Sequence, residues 1–171
     1  MFQLSKFFLI FSTLFFVNCS SIVHKPTLTL SKSKTYVISS FWNYTQTPMA
    51  GLKAASIVES VLSKESIMLH SLIEGSEKSS LTKNKINFLK EQINLAKQLK
   101  ANYLITGEVQ EWRYKKGIDA QPVVSYSIKV IDLSNSRTIY NGVIAKSGWG
   151  DKSIGVVAQE IAQEIIPSFT D

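Results

Sequence analysis

Apolar residues change their spacing repeatedly along this chain, and each change marks a predicted element. Thr35 to Trp42 is rich in β-branched and aromatic residues and predicts a strand. Thr47 followed by Pro48 predicts a helix cap with proline at the first helical position. Ala54, Ile57, Val58, Val61 and Leu62 then recur at helical spacing, which predicts an amphipathic helix over 48–64. A short strand is expected over 66–73 and a polar loop over 74–83. Ile86, Leu89, Ile93, Ala96 and Leu99 form one face of a second helix over 84–100, with lysines on the other. Three strands follow, over 103–114, 123–133 and 137–147. In the middle one Val124, Tyr126, Ile128 and Val130 alternate with Ser125, Ser127 and Lys129, the signature of one buried and one wetter face. Ser134-Asn135-Ser136 predicts a tight hairpin turn. Asp151 or Ser153 caps a last helix with an apolar stripe from Ile154 to Ile165, ended by Pro167.

The predicted order is therefore β-α-β-α-β-β-β-α. Two early strands joined by a helix imply a parallel crossover, and the last three strands imply a meander. Together they predict an α/β fold, a single mixed β-sheet with helices on both faces.

The N-terminal pattern is different. Lys6 is the only charge before residue 24, and Phe7 to Val17 is an apolar run of eleven residues. As a helix it spans roughly 16 Å, against about 30 Å for a bilayer core. Residues 1–18 are accordingly read as a signal peptide. Phe16-Val17-Asn18-Cys19-Ser20 resembles a lipobox, with Phe16 and Asn18 where Leu and a small residue are usual. Cys19 is the only cysteine. It supports neither a disulfide framework nor a cysteine metal site, and it falls where the apolar run ends, so it is read as the lipid attachment site. By the sorting pattern of bacterial lipoproteins, Ser20 after the cysteine points to the outer membrane. Residues 19–34 are read as the lipidated cysteine and a flexible tether. A fifteen-residue flexible chain has an r.m.s. span of roughly 20 Å. The periplasmic α/β domain is placed at 35–171.

The formal charge of +6 falls by one on removal of Lys6. The remaining lysines are spread over the proposed tether and the second helix rather than gathered in one patch. That favours a leader near anionic lipid head groups and argues against nucleic acid as a partner. His24 and His70 have no acid or thiol at ligand or dyad spacing, and no G-x-S-x-G, P-loop or H-E-x-x-H motif occurs. Glu108 and Glu111, an odd number of residues apart in one strand, are expected on opposite faces. The sequence therefore predicts a protein that is not an enzyme, with no cofactor and no metal. Trp112 and Trp149, the latter between glycines, are either core residues or anchors at a membrane or subunit interface.

The stretches NYTQTPMAGLKA (43–54), ANYLITGEVQEWRYKKGIDAQPVVSYSIKVIDLSNSRTIYNG (101–142) and KSGWGDKSIGVVAQEI (146–161) resemble the PelC-type outer-membrane lipoproteins of the Pel exopolysaccharide secretion system. The resemblance covers most of residues 36–166. It implies a fold like anticodon-binding domains, the TolB N-terminal domain and CsgG. It also implies a high-order homo-oligomeric ring beneath the outer membrane, coaxial with the β-barrel PelB, that guides the cationic Pel polysaccharide outward. Carried onto this chain, it makes Asp119 the lumen acid and Trp149 the membrane-contacting aromatic, beside the lipid on Cys19. Glu111 and Arg113 are candidates for a pair across subunits, a reading the family pattern does not supply. The competing expectation is a periplasmic regulatory lipoprotein of similar fold that binds and activates a cell-envelope synthase. A short tether argues against it.

Overall fold

The computed structural model describes residues 20–73, 84–117, 120–148 and 152–171, with backbone alone at 20–24. Its elements are β1 (Ser20–His24), β2 (Thr29–Ser31), β3 (Thr35–Ser39), β4 (Trp42–Asn43), α1 (Ala50–Leu62), β5 (Met68–Leu72), α2 (Lys85–Gln98), β6 (Tyr103–Tyr114), β7 (Pro122–Asp132), β8 (Arg137–Ser147), α3 (Ile154–Ile165) and β9 (Ser168–Thr170). The main sheet runs β1-β8-β7-β6-β3-β5, with β4 alongside β6. β3 is parallel to β5 and β6, whereas β6, β7, β8 and β1 are successively antiparallel. The mixed sheet expected from the sequence forms, a parallel crossover and a later meander, with a second parallel crossover from β5 through α2 to β6.

Helices cover both faces. α1 and α3 bury Ala54, Val58, Leu62, Ala158, Ile161 and Ile165 against Tyr36, Ile105, Val124, Tyr126, Ile128 and Tyr140. Each fully buried aliphatic side chain in that layer contributes about 1.5–3 kcal/mol. α2 covers less: Ala96, with Leu89 and Ile93, closes over Val37, Leu104 and Ile131. Two buried hydroxyls staple the α3 layer. Tyr126 donates to the carbonyl of Ala158 at 2.6 Å, and Tyr140 donates to that of Ile165. Burial raises both phenols, Tyr140 to about 12 and Tyr126 beyond it.

The chain makes two close approaches at Phe41. A β-carbon on Gly51 would meet the Phe41 carbonyl oxygen, and one on Gly107 would meet the Phe41 ring within 2.7 Å and the Ser127 carbonyl oxygen. Hydrogen here lets α1 and β6 both close on the same residue.

Three expectations fail locally. Segment 20–34 is not a free tether: β1 pairs with β8 from Ser20↔Lys146 onward, and β2 pairs in parallel with β9. Its Ser/Thr/Lys composition carries no period because each strand is short and its partner lies far along the chain. Thr47 does not cap α1. Its hydroxyl donates instead to the carbonyl of Trp112 at 2.5 Å, and the residue before the helix, Met49, adopts a left-handed φ of 62°. Glu108 and Glu111 do not lie on opposite faces. A β-bulge between Val109 and Glu111 shifts the register, so that Glu108 stands opposite Ser127 and Glu111 opposite Ser125. The alternation in β7 holds on its core face, but Ser125 and Ser127 on the other face are also buried. Of the two candidates for the last helix, Ser153 is the cap, accepting from Val156 N, and Asn84 caps α2 by accepting from Ile86 N.

The register orients every helix the same way. α1, α2 and α3 all begin at the end of the sheet where β6 passes into β7, and all finish at the end where β7 turns into β8.

Candidate functional site

The residues singled out from the sequence converge on the first of those ends. β6 finishes there at Tyr114 and β7 starts at Pro122. The base of their hairpin is closed by Lys115 N donating to Gln121 O. β8 arrives beside them, with Gly148 N donating to Pro122 O at 2.8 Å. α3 departs from the same corner, its Ile154 N donating to the Tyr114 hydroxyl at 3.3 Å. β1 begins there too, because Ser20 lies opposite Lys146. Cys19, Asp119 and Trp149 lie outside the described residues. Their described neighbours Ser20, Gly117, Ala120 and Gly148 all sit at this end.

Trp112 is resolved toward the core: it is 4% exposed and packs in the main hydrophobic cluster. Glu111 and Arg113 do meet, but within one chain, at 2.9 Å on the same face of β6. Both remain partly exposed. An ion pair in that setting contributes at most about 1 kcal/mol. The corner also carries exposed Lys115, Lys116 and Lys152, the last paired with Glu160 at 2.6 Å. Lys146 ties β8 to α3 through Glu164. Three helix N-termini and these cations give the corner a positive potential.

Sequence reasoning missed one charged centre. Glu108 is 14% exposed and pairs with both Lys129 and Lys85, the latter at 3.0 Å. Burial alone raises its carboxyl, but Lys129 and Lys85 outweigh that and hold it below its ordinary value. The Lys85 amino group also donates to the Tyr44 hydroxyl at 2.8 Å and lies over that ring. Its pKa is raised: burial works against the charge, but Tyr44 and Glu108 prevail. This cluster pins the first turn of α2 to β6, where a lysine would otherwise sit unfavourably at the positive end of a helix. Its signal was present in the sequence as three charges on separate elements, whose proximity no spacing reveals.

The shared face of Glu108 and Glu111 does not make a paired-carboxylate site, since each is engaged by its own cation. Among the described residues no group of three or more His, Cys, Asp or Glu is placed to hold a metal. No described helix is long and apolar enough to cross a membrane.

No family model matches the sequence. No curated protein matches it. Solved structures do. The PelC dodecamer from Paraburkholderia phytofirmans superposes with a TM-score of 0.68 at 26% identity, over 87% of this chain and 94% of that one. A point variant of it in a second crystal form gives the same TM-score and identity. The lipoprotein GNA1162 from Neisseria meningitidis superposes with a TM-score of 0.58 at 14% identity, over 77% of this chain and 97% of that one, a likeness of fold. With the fold and the sequence likeness in agreement, this chain is a PelC-type protein.

Proposed function

We propose that this chain is a lipid-anchored component of a Pel exopolysaccharide export apparatus, assembling as a ring under the outer membrane. In this role it guides the cationic polymer toward the β-barrel PelB and catalyses nothing. The observation that carries the reading is the likeness to a PelC that is itself a dodecamer. The geometry supports it at one point: the described residues that flank Cys19, Trp149 and Asp119 in the sequence share one end of the sheet.

In this reading the acyl chains on Cys19 enter the bilayer, each buried methylene contributing about 0.8 kcal/mol. Trp149 lies at the lipid interface, where an amphipathic ring is favoured. Lys115, Lys116 and Lys152 face anionic head groups. Asp119, which falls in the sequence between β6 and β7, contributes to an acidic rim of the opening. A ring of carboxylates attracts a cationic polymer over a Debye length, about 8 Å at physiological salt, without gripping it. The Glu111–Arg113 pair, accessible on the same face, stands at the subunit boundary. A partner-activating role is disfavoured by β1, which engages the sheet from Ser20 and leaves no slack chain to reach across the periplasm.

The deciding measurement is the mass of the acylated protein in mild detergent by light scattering, with negative-stain imaging. A ring-shaped particle of many copies supports the reading. A protein that stays monomeric both alone and with PelB in a bilayer overturns it.

A further inference from the structure

At the opposite end of the sheet, a cleft of about 380 Å³ opens between the C-terminus of α2, the start of β6 and the β7–β8 turn. Lys34, Lys97 and Lys100 line it from separate segments, together with Asn102 and Asp132. None of the three lysines has a carboxylate partner among the described residues. Asp132 forms no ion pair with them: its Oδ1 accepts from the backbone and hydroxyl of Ser134 and its Oδ2 from Asn135, and its single charge offsets one of the three. Asn102 is clamped by its backbone and Oδ1 to Thr35 and Leu133, and its amide nitrogen has no partner among the described residues.

The backbone gives a second, independent sign. Lys100 occupies the left-handed position after α2, with φ 54°. Its N–H donates to Lys97 O, and that of Ala101 to Ala96 O, the paired bonds that end a helix in this conformation. Glycine or asparagine fills such a position with less strain than lysine. Ser136, whose Oγ receives the Lys97 amino group at 3.1 Å, is also left-handed, with φ 56°. Favourable charge at a helix C-terminus accounts for Lys97. It accounts neither for a strained Lys100 nor for Lys34 arriving from the β2–β3 turn.

We infer that this cleft is a docking site for the carboxylates of an acidic peptide segment. The donors are spread point charges, with no planar guanidinium fork or nest of backbone N–H groups of the kind that grips phosphate. The carbonyl end of α2 and the Asp132 carboxylate border the cleft, and both penalise a dianion more than a single carboxylate. The site stands on its own residues. Only the direction it faces, away from the membrane, rests on Cys19 as the anchor.

The test is fluorescence polarisation of a labelled hexaglutamate peptide with the full chain in mild detergent at low salt. Saturable binding is expected, and Lys97→Gln with Lys100→Gln should weaken it about tenfold or more. Lys53→Gln with Lys90→Gln removes the same charge from exposed positions elsewhere and should leave it nearly unchanged. Lys100→Gly should weaken binding while raising the unfolding temperature, which separates a lost site from a lost fold. The inference is overturned if no binding occurs, if the control pair weakens binding as much as the cleft pair, or if inorganic phosphate displaces the peptide as effectively as unlabelled hexaglutamate.

Discussion

Ser20 stands opposite Lys146 in the sheet, so the residue after Cys19 is fixed three positions before Trp149 on the adjoining strand. The described residues next to the proposed lipid site and next to the proposed membrane aromatic, Ser20 and Gly148, are thereby brought to one end of the sheet by backbone pairing rather than by a loose leader. Cys19→Ala should abolish palmitate labelling and release the protein from the membrane fraction. Labelling that persists in the variant removes the anchor. A fifteen-residue Gly/Ser insertion between Cys19 and Ser20 should keep labelling but impair polymer export, because it uncouples the two.

Asp119→Ala should reduce Pel secretion and biofilm formation with no change in oligomer mass. Asp119→Glu should restore much of it, because the charge rather than the shape is what a cationic chain senses. Normal secretion by Asp119→Ala would take the acid out of the lumen.

Glu108→Gln should destabilise the fold by about 1–3 kcal/mol, because it leaves Lys85 and Lys129 without their shared carboxylate. The folded-state carboxyl is depressed. Its contribution is therefore fully present above the ordinary carboxylate value of about 4.3 and is lost as pH falls through the lower folded value. Urea unfolding at several pH values should show a gap between wild type and variant that is constant near neutrality and closes in acid. A gap independent of pH would mean that Glu108 acts through packing alone.

Gly107→Ala should cost about 3 kcal/mol or prevent folding, since the new methyl meets both the Phe41 ring and a β7 carbonyl. Pairing it with Phe41→Leu should recover only part of the loss, because the Ser127 carbonyl cannot move out of the sheet. Thermal melts of the single and double variants make the comparison.

Tyr126→Phe should cost about 0.5–1.5 kcal/mol by removing the buried hydroxyl's bond to the Ala158 carbonyl, which keeps its place in the α3 helix. In an alkaline titration of the wild type, the Tyr126 phenol should ionise only with unfolding. A smooth absorbance change before loss of secondary structure, removed by Tyr126→Phe, would show that the residue is reached by solvent.

The parts legible in the sequence are those whose signal is local. β6 and β8 span the residues that their β-rich composition marks, and α2 and α3 start at Asn84 and Ser153, side chains that cap within their own first turns. What failed depends on distant partners. Thr47 is a good capping residue by type, but a carbonyl 65 positions away holds its hydroxyl. Parity counting separated Glu108 from Glu111 because a single extra residue, Gln110, has no signature in the pattern. β1 was invisible because its partner β8 lies more than a hundred residues downstream. The Cys19 assignment came from the N-terminal pattern and those of Asp119 and Trp149 from family resemblance, and all three residues lie outside the described ones. The described residues that flank them nevertheless meet at one corner, which linear spacing alone does not disclose.

The common direction of the three helices has a consequence for assembly. Each helix ends in about half a unit of charge, positive at its start. Because all three start at the corner where β1 begins, these do not cancel within a subunit. Copies anchored through residue 19 would share that polarity, so a ring of them would be an electret. Its permanent field would be set by chain direction rather than by titratable side chains, and no change of pH short of unfolding would reverse it.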